Sequence, residues 1–176
     1  MIFKVAIQES MKMLAKDDKT IFVGYNVRYG NKAAGTLNGI SESQLLETPV
    51  AENLMLGLAI GLSIEGFKPI VYFERFDFIL NALDAIVNHL DKIKELSNGE
   101  YEPKVIIRAV VGRKQKPFFA GLTHVQDFTE SMKRLVAFPV IKPRSSKELI
   151  EVYQKAYKAK ESYLIVEEMD NYEHDI

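Results

Sequence analysis

Residues 47–73, ETPVAENLMLGLAIGLSIEGFKPIVYF, decide the fold of this chain. Between positions 54 and 64 nearly every side chain is apolar, which favours a helix that is buried on most of its sides. KPIVYF (68–73) then has the β-branched and aromatic composition of a short buried strand. A buried helix that leads into a buried strand is typical of α/β proteins, in which helices cover both faces of a mainly parallel sheet.

The same alternation extends to both sides of this stretch. Further helices are predicted over residues 2–15, 78–96 and 145–160, and further strands at TIFVGY (20–25), KVIIRAVV (104–111), AFPVIKP (137–143) and SYLIVEE (162–168). The polar, glycine-bearing segment 26–44 is predicted to be a long loop, a kind of loop that is often functional. We predict one domain over residues 1–176: a three-layer α/β sandwich whose mainly parallel sheet has about five or six strands.

Periodicity also predicts which helical side chains are buried. The sets are Val5, Ile7, Met11 and Leu14 in the first helix, and Ile79, Leu80, Leu83, Ile86, Val87, Leu90 and Ile93 in 78–96. The helix that follows residue 50 is apolar nearly all round, which indicates a subunit interface in a chain this small. Gly57 and Gly61 lie on one face of that helix and would let another backbone approach closely.

Composition excludes several classes of function. The 176 residues carry a net charge of −1, which gives no electrostatic basis for binding nucleic acid or an anionic membrane surface. The chain has no cysteine, so disulfides, thiolate zinc sites and cysteine nucleophiles are excluded. No apolar run reaches the roughly 20 residues that span a bilayer, and the first residues turn polar too soon for a signal peptide. We expect a cytoplasmic protein with no membrane contact.

Glu52 is an acid at the start of an otherwise apolar helix. Thr48 and Pro49 are predicted to begin that helix, because threonine can cap and proline is tolerated in the first turn. A capping acid would then fall at Ala51, so Glu52 comes one residue too late for that purpose. Two alternatives remain open: Glu52 interacts with the helix dipole, for about 0.3–1 kcal/mol, or it is a chemical group of a site.

The segment TPVAEN (48–53), the apolar GLAIGL helix, GFKPIVYF (66–73) and DAIVN (84–88) together carry a specific resemblance. They resemble the pyrimidine-binding domain of transketolase-like thiamine diphosphate enzymes, and most closely the beta subunit of 2-oxoacid (pyruvate) dehydrogenase decarboxylase components. The likeness continues through PKVIIRA and THVQDF and covers essentially the whole chain.

The resemblance implies a role for several residues. In this family the glutamate that matches Glu52 hydrogen-bonds the first ring nitrogen of the cofactor's aminopyrimidine and so promotes proton loss from the thiazolium carbon. The aromatic segment VYFERFDF implies that Phe78 stacks on the pyrimidine ring, with Phe76 nearby; the alternative from the residues alone is that both are core. His124 matches a histidine that contacts substrate, and imidazole can donate or accept a proton near neutral pH. His89 and His174 are expected to have no such role.

Two positions depart from the family pattern. Glu74 stands near the cofactor, where relatives usually carry an apolar residue, so the polarity of the pocket is expected to differ. Tyr25 stands where dehydrogenase beta subunits usually carry a glutamate of an acidic tunnel between two active sites. Because the pKa of tyrosine is about 10, it carries protons poorly at pH 7, and coupling between sites is in doubt.

The resemblance also implies a partner. The family's diphosphate-binding half has a Gly-Asp-Gly segment that helps hold Mg²⁺, and no Gly-Asp-Gly occurs here; no metal site is expected in this chain. We predict a chain that is inactive alone and shares thiamine diphosphate with a separate subunit in a hetero-oligomer such as a heterotetramer. Its substrate would be a small carbonyl compound, in two-carbon transfer or 2-oxoacid decarboxylation. The alternatives are a non-catalytic paralogue that stabilises or regulates a partner enzyme, and a small α/β ligand-binding domain unrelated to thiamine.

Overall fold

The computed structural model describes residues 1–117 and 119–176. Within those residues six strands form one sheet in the order β2-β1-β3-β4-β6-β5, and every neighbouring pair is parallel. The strands are β1 (Thr20–Gly24), β2 (Leu45–Glu47), β3 (Lys68–Phe73), β4 (Ile106–Val111), β5 (Val140–Ile141) and β6 (Tyr163–Glu168). The predicted α/β fold with a mainly parallel sheet is confirmed. The short edge strand β2 is the one that the sequence pattern did not identify.

Helices cover both faces of this sheet. They are α1 (Phe3–Leu14), α2 (Glu52–Ile64), α3 (Ile93–Leu96), α4 (Thr129–Leu135) and α5 (Ser146–Lys158). Side chains of β3 alternate between the two layers: Ile70 and Tyr72 pack in the core with α1 and α5, whereas Val71 and Phe73 pack in the core with α2. The result is the three-layer arrangement expected from the sequence.

The predicted helix 78–96 takes a different form. The segment is a 3₁₀ turn over Phe76–Ala82, a π turn over Ala85–Leu90 and then α3. A tight 3₁₀ turn and a wide π turn together average nearly the period of an α-helix. The apolar spacing therefore could not distinguish this segment from a regular α-helix. The change of pitch buries Ile79 and leaves Leu80 47% exposed, contrary to its predicted burial.

Val5 is also exposed, whereas Ile7, Met11 and Leu14 are fully buried. At 100° per residue Val5 lies about 200° around the helix from Ile7, on the opposite side from the buried stripe. The prediction of a buried Val5 is therefore wrong.

The strand order places a crevice at the carboxyl ends of strands β1 and β3. From β1 the chain moves outward to β2 on one side and then returns to β3 on the other. Loops that leave the carboxyl ends of β1 and β3 therefore diverge, and such a switch point is where open α/β sheets bind ligands. Over the described ranges, no helix is long and apolar enough to cross a membrane.

Candidate active site

Helix α2 begins at Glu52, later than predicted. Residues 45–47 still belong to strand β2, and the N–H of Thr48 donates to the carbonyl of Gly24 at 3.0 Å, so the chain is extended along β1 at that point. The predicted start at Thr48 and Pro49 is therefore wrong. Ala51 occupies the cap position and has no capping side chain, which leaves Glu52 in the first turn.

The Glu52 side chain is buried with very little to bind it. The residue is 8% exposed. Among the described residues, its carboxylate has one hydrogen bond, from Asn81 Nδ2 to Oε2 at 3.5 Å, which is the long limit for such a bond. No N–H of the helix donates to it, so it does not cap α2. Buried carboxylates are usually well hydrogen-bonded, and this one has spare acceptor capacity.

Glu52 opens onto a small cavity at the switch point. The cavity has a volume of about 70 Å³ and is lined by Tyr25, Val50, Glu52, Met55, Tyr72, Phe73, Glu74 and Phe78. Ligand pockets usually have at least about 300 Å³, so this cavity alone is too small to enclose a ligand. Phe78, half-buried, supplies an aromatic surface beside the acid.

A second carboxylate, Glu74, reaches the same cavity from the end of β3. Its Oε2 accepts a hydrogen bond from Asn26 Nδ2 at 3.4 Å. Tyr25 lies beside it on the cavity wall and is 40% exposed. Tyr25 and Glu74, the two residues expected to depart from the family pattern, therefore line the same cavity.

Glu47 anchors the loop that follows β1, and sequence reasoning missed it. Its carboxylate accepts the N–H groups of Asn26 at 2.7 Å, Arg28 at 2.7 Å and Tyr29 at 3.3 Å. Asn26 has a φ of 58°, a conformation that asparagine tolerates better than most residues. An acid at the end of an edge strand, directly before Thr-Pro, is the only sequence signal for this anchor.

The His124 ring packs against the ring of Phe78, which lines the Glu52 cavity. His124 ends the short 3₁₀ turn Leu122–His124, and its ring is 5.3 Å from the Phe78 ring at an interplanar angle of 80°. Thr123 Oγ1 lies 3.0 Å from Nδ1. Nε2 has no hydrogen bond within the described ranges. Phe78 thus connects His124 with the Glu52 cavity.

Phe76 is placed differently from Phe78. It is fully buried and packs edge-on against Phe128, with ring centroids 5.9 Å apart. Its ring lies in the core beside α2, which favours the alternative in which Phe76 is a core residue.

Other features of the surface lie apart from these residues. In the part of the chain that is described, no group of three or more His, Cys, Asp and Glu is arranged to hold a metal ion. An open groove of about 1030 Å³ runs between α4, β5 and α5, and it contains none of Glu52, Phe78 and His124.

The sequence model for the family described as "Transketolase, pyrimidine binding domain" matches residues 2–174. The chain belongs to this family. Its relatives include the mitochondrial pyruvate dehydrogenase E1 component subunit beta of Saccharomyces cerevisiae, which is 30% identical over 84% of this chain and 41% of that protein. The 2-oxoisovalerate dehydrogenase subunit beta of Bacillus subtilis is 32% identical over 61% of this chain and 34% of that protein. The resemblance predicted from the sequence is confirmed.

Solved structures agree on the fold. A split gene transketolase, described as an inactive beta4 tetramer, superposes with a TM-score of 0.72 at 16% identity, over 93% of this pyrimidine-binding domain and 50% of that chain. A thiamine diphosphate-dependent 4-hydroxybenzoylformate decarboxylase of Rhodococcus jostii superposes with a TM-score of 0.68 at 18% identity, over 96% and 31%. The chain spans about two fifths of the length of the first curated relatives that it matches.

Proposed function

We propose that this chain supplies the pyrimidine-binding half of a thiamine diphosphate site whose diphosphate-binding half belongs to a separate subunit. One observation carries the proposal: Glu52 is a buried carboxylate with a single 3.5 Å hydrogen bond among the described residues, and it opens onto an aromatic-walled cavity too small to enclose a ligand. An acid with unused acceptor capacity beside an aromatic surface fits the aminopyrimidine end of the cofactor. Membership of the pyrimidine-binding family supports the same assignment.

When bound, thiamine diphosphate supplies a carbon nucleophile that acts on a carbon–carbon bond next to a carbonyl group. Glu52 would share a proton with the first ring nitrogen of the aminopyrimidine, and burial favours that sharing because water cannot compete for the carboxylate. Phe78 would contact the face of the ring. Nε2 of His124 would donate a proton to, or accept one from, the substrate oxygen. A small 2-oxoacid or ketose is the substrate class proposed.

The exposed face of α2 supports a partner subunit. Leu54, Leu58 and Ile64 on this helix are 54%, 36% and 40% exposed. A Cβ added at Gly57 or Gly61 would have no heavy atom within 4 Å, so nothing inside the chain uses the close approach that these glycines allow. We propose that a subunit carrying the diphosphate and Mg²⁺ ligands completes the site here or beside it, in a hetero-oligomer such as a heterotetramer.

A second candidate function has one observation in its favour. Glu74 adds a second carboxylate to the cavity that already contains Glu52, where relatives usually have an apolar residue. A non-catalytic paralogue that stabilises or regulates a partner thiamine diphosphate enzyme would tolerate that change.

Calorimetric titration with thiamine diphosphate and Mg²⁺ tests the proposed function. The chain alone should bind weakly or not at all, whereas the chain co-expressed with a subunit that contains Gly-Asp-Gly should bind and turn over a 2-oxoacid or ketose. Tight, Mg²⁺-dependent binding by the chain alone would contradict the split site. Binding without turnover in the complex would favour the second candidate.

A further inference from the structure

The loop that carries His124 is fixed at two points, by residues from two different elements. The first is Gly112, directly after β4. Its N–H donates to the carbonyl oxygen of His124 at 3.1 Å. The hydrogen bond therefore holds the backbone of the histidine itself against the end of a central strand.

Position 112 has no room for a side chain, and this lack of space, rather than an unusual backbone conformation, requires glycine there. A Cβ at this position would lie 2.2 Å from the carbonyl oxygen of His124 and 3.2 Å from Cδ and Nε of Arg75. The Arg75 side chain can move, but the oxygen belongs to the backbone of the loop. Its φ lies outside the left-handed region that favours glycine. Any side chain at 112 would therefore displace His124 or break the hydrogen bond that holds it.

The second point is Asp77, which lies in the 3₁₀ turn Phe76–Ala82 and binds Gln126, two residues along the loop from His124. Its Oδ1 accepts hydrogen bonds from Gln126 Nε2 at 2.9 Å and from the N–H of Gln126 at 3.3 Å. Asp77 is 7% exposed, and Oδ2 is buried with no partner among the described residues. A buried carboxylate costs free energy unless it is well hydrogen-bonded, so fold stability alone gives little reason for an acid here.

Asp77 stands next to Phe78, the residue whose ring meets the imidazole of His124. The same short segment therefore supplies the aromatic contact and the anchor of the loop. Gly112 holds the carbonyl of His124, and Asp77 holds Gln126 two residues later, so both anchors act on the chain at and just after the histidine. Nδ1 lies beside Thr123, and Nε2 has no hydrogen bond among the residues that the structure describes.

We propose that Gly112 and Asp77 are positioning residues, which set the place and orientation of the His124 imidazole against Phe78. What the imidazole does there rests on the proposed function. The positioning itself belongs to the chain alone and can be tested without cofactor, substrate or partner.

The test is NMR of histidine ring signals in the full chain. The sequence has three histidines, so His89 and His174 serve as internal references. Phe78→Leu removes the neighbouring ring and identifies His124 by the change in its shift. Gly112→Ala and Asp77→Ala should each move the His124 signals by a comparable amount and leave the other two histidines unchanged.

Two matched variants separate positioning from general damage. Gly57→Ala adds the same methyl group where it meets nothing within 4 Å, and it should leave His124 unmoved. Asp77→Asn keeps an oxygen that can accept from Gln126, and it should preserve the wild-type His124 signals. That rescue would not occur if the role of Asp77 depended on its charge.

Unchanged His124 signals in a folded Gly112→Ala chain would overturn the assignment of Gly112. If that variant does not fold, the Asp77 pair decides: unchanged signals in Asp77→Ala, or displaced signals in Asp77→Asn, would overturn the proposal. Thiamine diphosphate binding by the co-expressed complex is a separate measurement. Its failure would remove the proposed function and leave this result intact.

Discussion

Two buried glutamates, Glu167 and Glu52, differ sharply in what surrounds them. Glu167 is fully buried and accepts four hydrogen bonds: two from Arg108, at 2.9 and 2.8 Å, one from the Tyr153 hydroxyl at 2.5 Å and one from the Tyr172 hydroxyl at 2.6 Å. Glu52 is 8% exposed and accepts one, at 3.5 Å. The first carboxylate is satisfied inside the chain, whereas the second retains capacity for a ligand.

The surroundings of Glu167 join four parts of the fold. Arg108 is on β4, Tyr153 on α5 and Tyr172 near the C-terminal end, and Arg108 also donates to Thr36 Oγ1 at 3.2 Å in the loop after β1. Burial alone would lower the pKa of Arg108, but the Glu167 carboxylate outweighs it and raises that pKa well above its usual range. Burial, reinforced by the same carboxylate, raises the pKa of both tyrosines well above the usual value. Arg108 therefore stays charged, and both tyrosines keep their hydroxyl protons, at physiological pH.

The two faces of the sheet therefore differ in how fully their charged and apolar side chains are covered within the chain. On the side of the sheet covered by α1 and α5, the Arg108–Glu167 ion pair is buried and hydrogen-bonded. The α2 side leaves apolar side chains exposed and one acid under-bonded. We interpret the first side as stabilising the fold and the second as a surface that a cofactor and a partner complete.

The largest effects are expected from the same change, Glu→Gln, at each of the two glutamates. In the reconstituted enzyme, Glu52→Gln should lower kcat by about 10²–10⁴-fold, because glutamine cannot share an acidic proton with the ring nitrogen. The melting temperature of the chain should stay close to that of wild type. Steady-state kinetics measure the effect, and a loss confined to KM would point to binding rather than proton transfer.

Glu167→Gln should do the reverse. It leaves Arg108 as an uncompensated buried charge, which costs about 3–5 kcal/mol of the free energy of unfolding. Denaturant titration of the chain alone measures the loss. A stability within about 0.5 kcal/mol of wild type, the range of ordinary surface substitutions, would show that the network is not what stabilises this side.

Gly57→Ala probes the exposed face of α2. Alanine is the better helix former by about 1 kcal/mol, and the added methyl group meets nothing inside the chain. The lone chain should therefore become more stable by about that amount, while assembly with the partner weakens. Thermal melts of the chain and co-purification of the complex check the two parts, with Gly61→Ala as a second position. Gly99 does not offer a control position, because its φ of 83° would strain an alanine placed there.

An exposed ion pair gives the smallest expected effect. Hydrogen bonds from Lys68 at 2.6 Å and Tyr157 at 2.7 Å lower the pKa of Asp17. Because the folded-state pKa lies below the unfolded value of about 3.9, the contribution is complete above roughly pH 4 and is lost as pH falls further. The Asp17 and Lys68 side chains are 32% and 40% exposed, so Asp17→Asn should cost at most about 1 kcal/mol at pH 7. The gap between mutant and wild type should close in acid, and a gap that widens would contradict this sign.

The sequence predicted the framework better than the contacts within it. The apolar run of α2 and the strand KPIVYF identified the α/β fold because burial on both faces leaves a direct trace in composition. Glu52 and His124 stood out as polar residues in motifs. Arg108 and Glu167 did not, since each lies in an apolar strand and the two are 59 positions apart. Gly112 looks like any loop glycine until the carbonyl of His124 is seen against it.

The predicted helix boundaries were wrong for a related reason. Thr48 and Pro49 have the right local chemistry to begin a helix, but β2 pairs with β1 as far as Glu47 and keeps the chain extended. Such pairing is a tertiary contact, and no local pattern reports it. The turns of segment 76–90 likewise follow from packing against α2, which an average period cannot resolve.

Proton exchange at the thiazolium carbon reports whether Glu52 acts on the cofactor. It is measured in complexes of the chain with a diphosphate-binding partner, for wild type and Glu52→Gln, alongside thermal melts of both. If Glu52 is held under-bonded for the cofactor, exchange should slow by about 10²–10⁴-fold in the variant, with little change in melting temperature. Equal exchange rates together with a lowered melting temperature would show instead that Glu52, like Glu167, stabilises the fold.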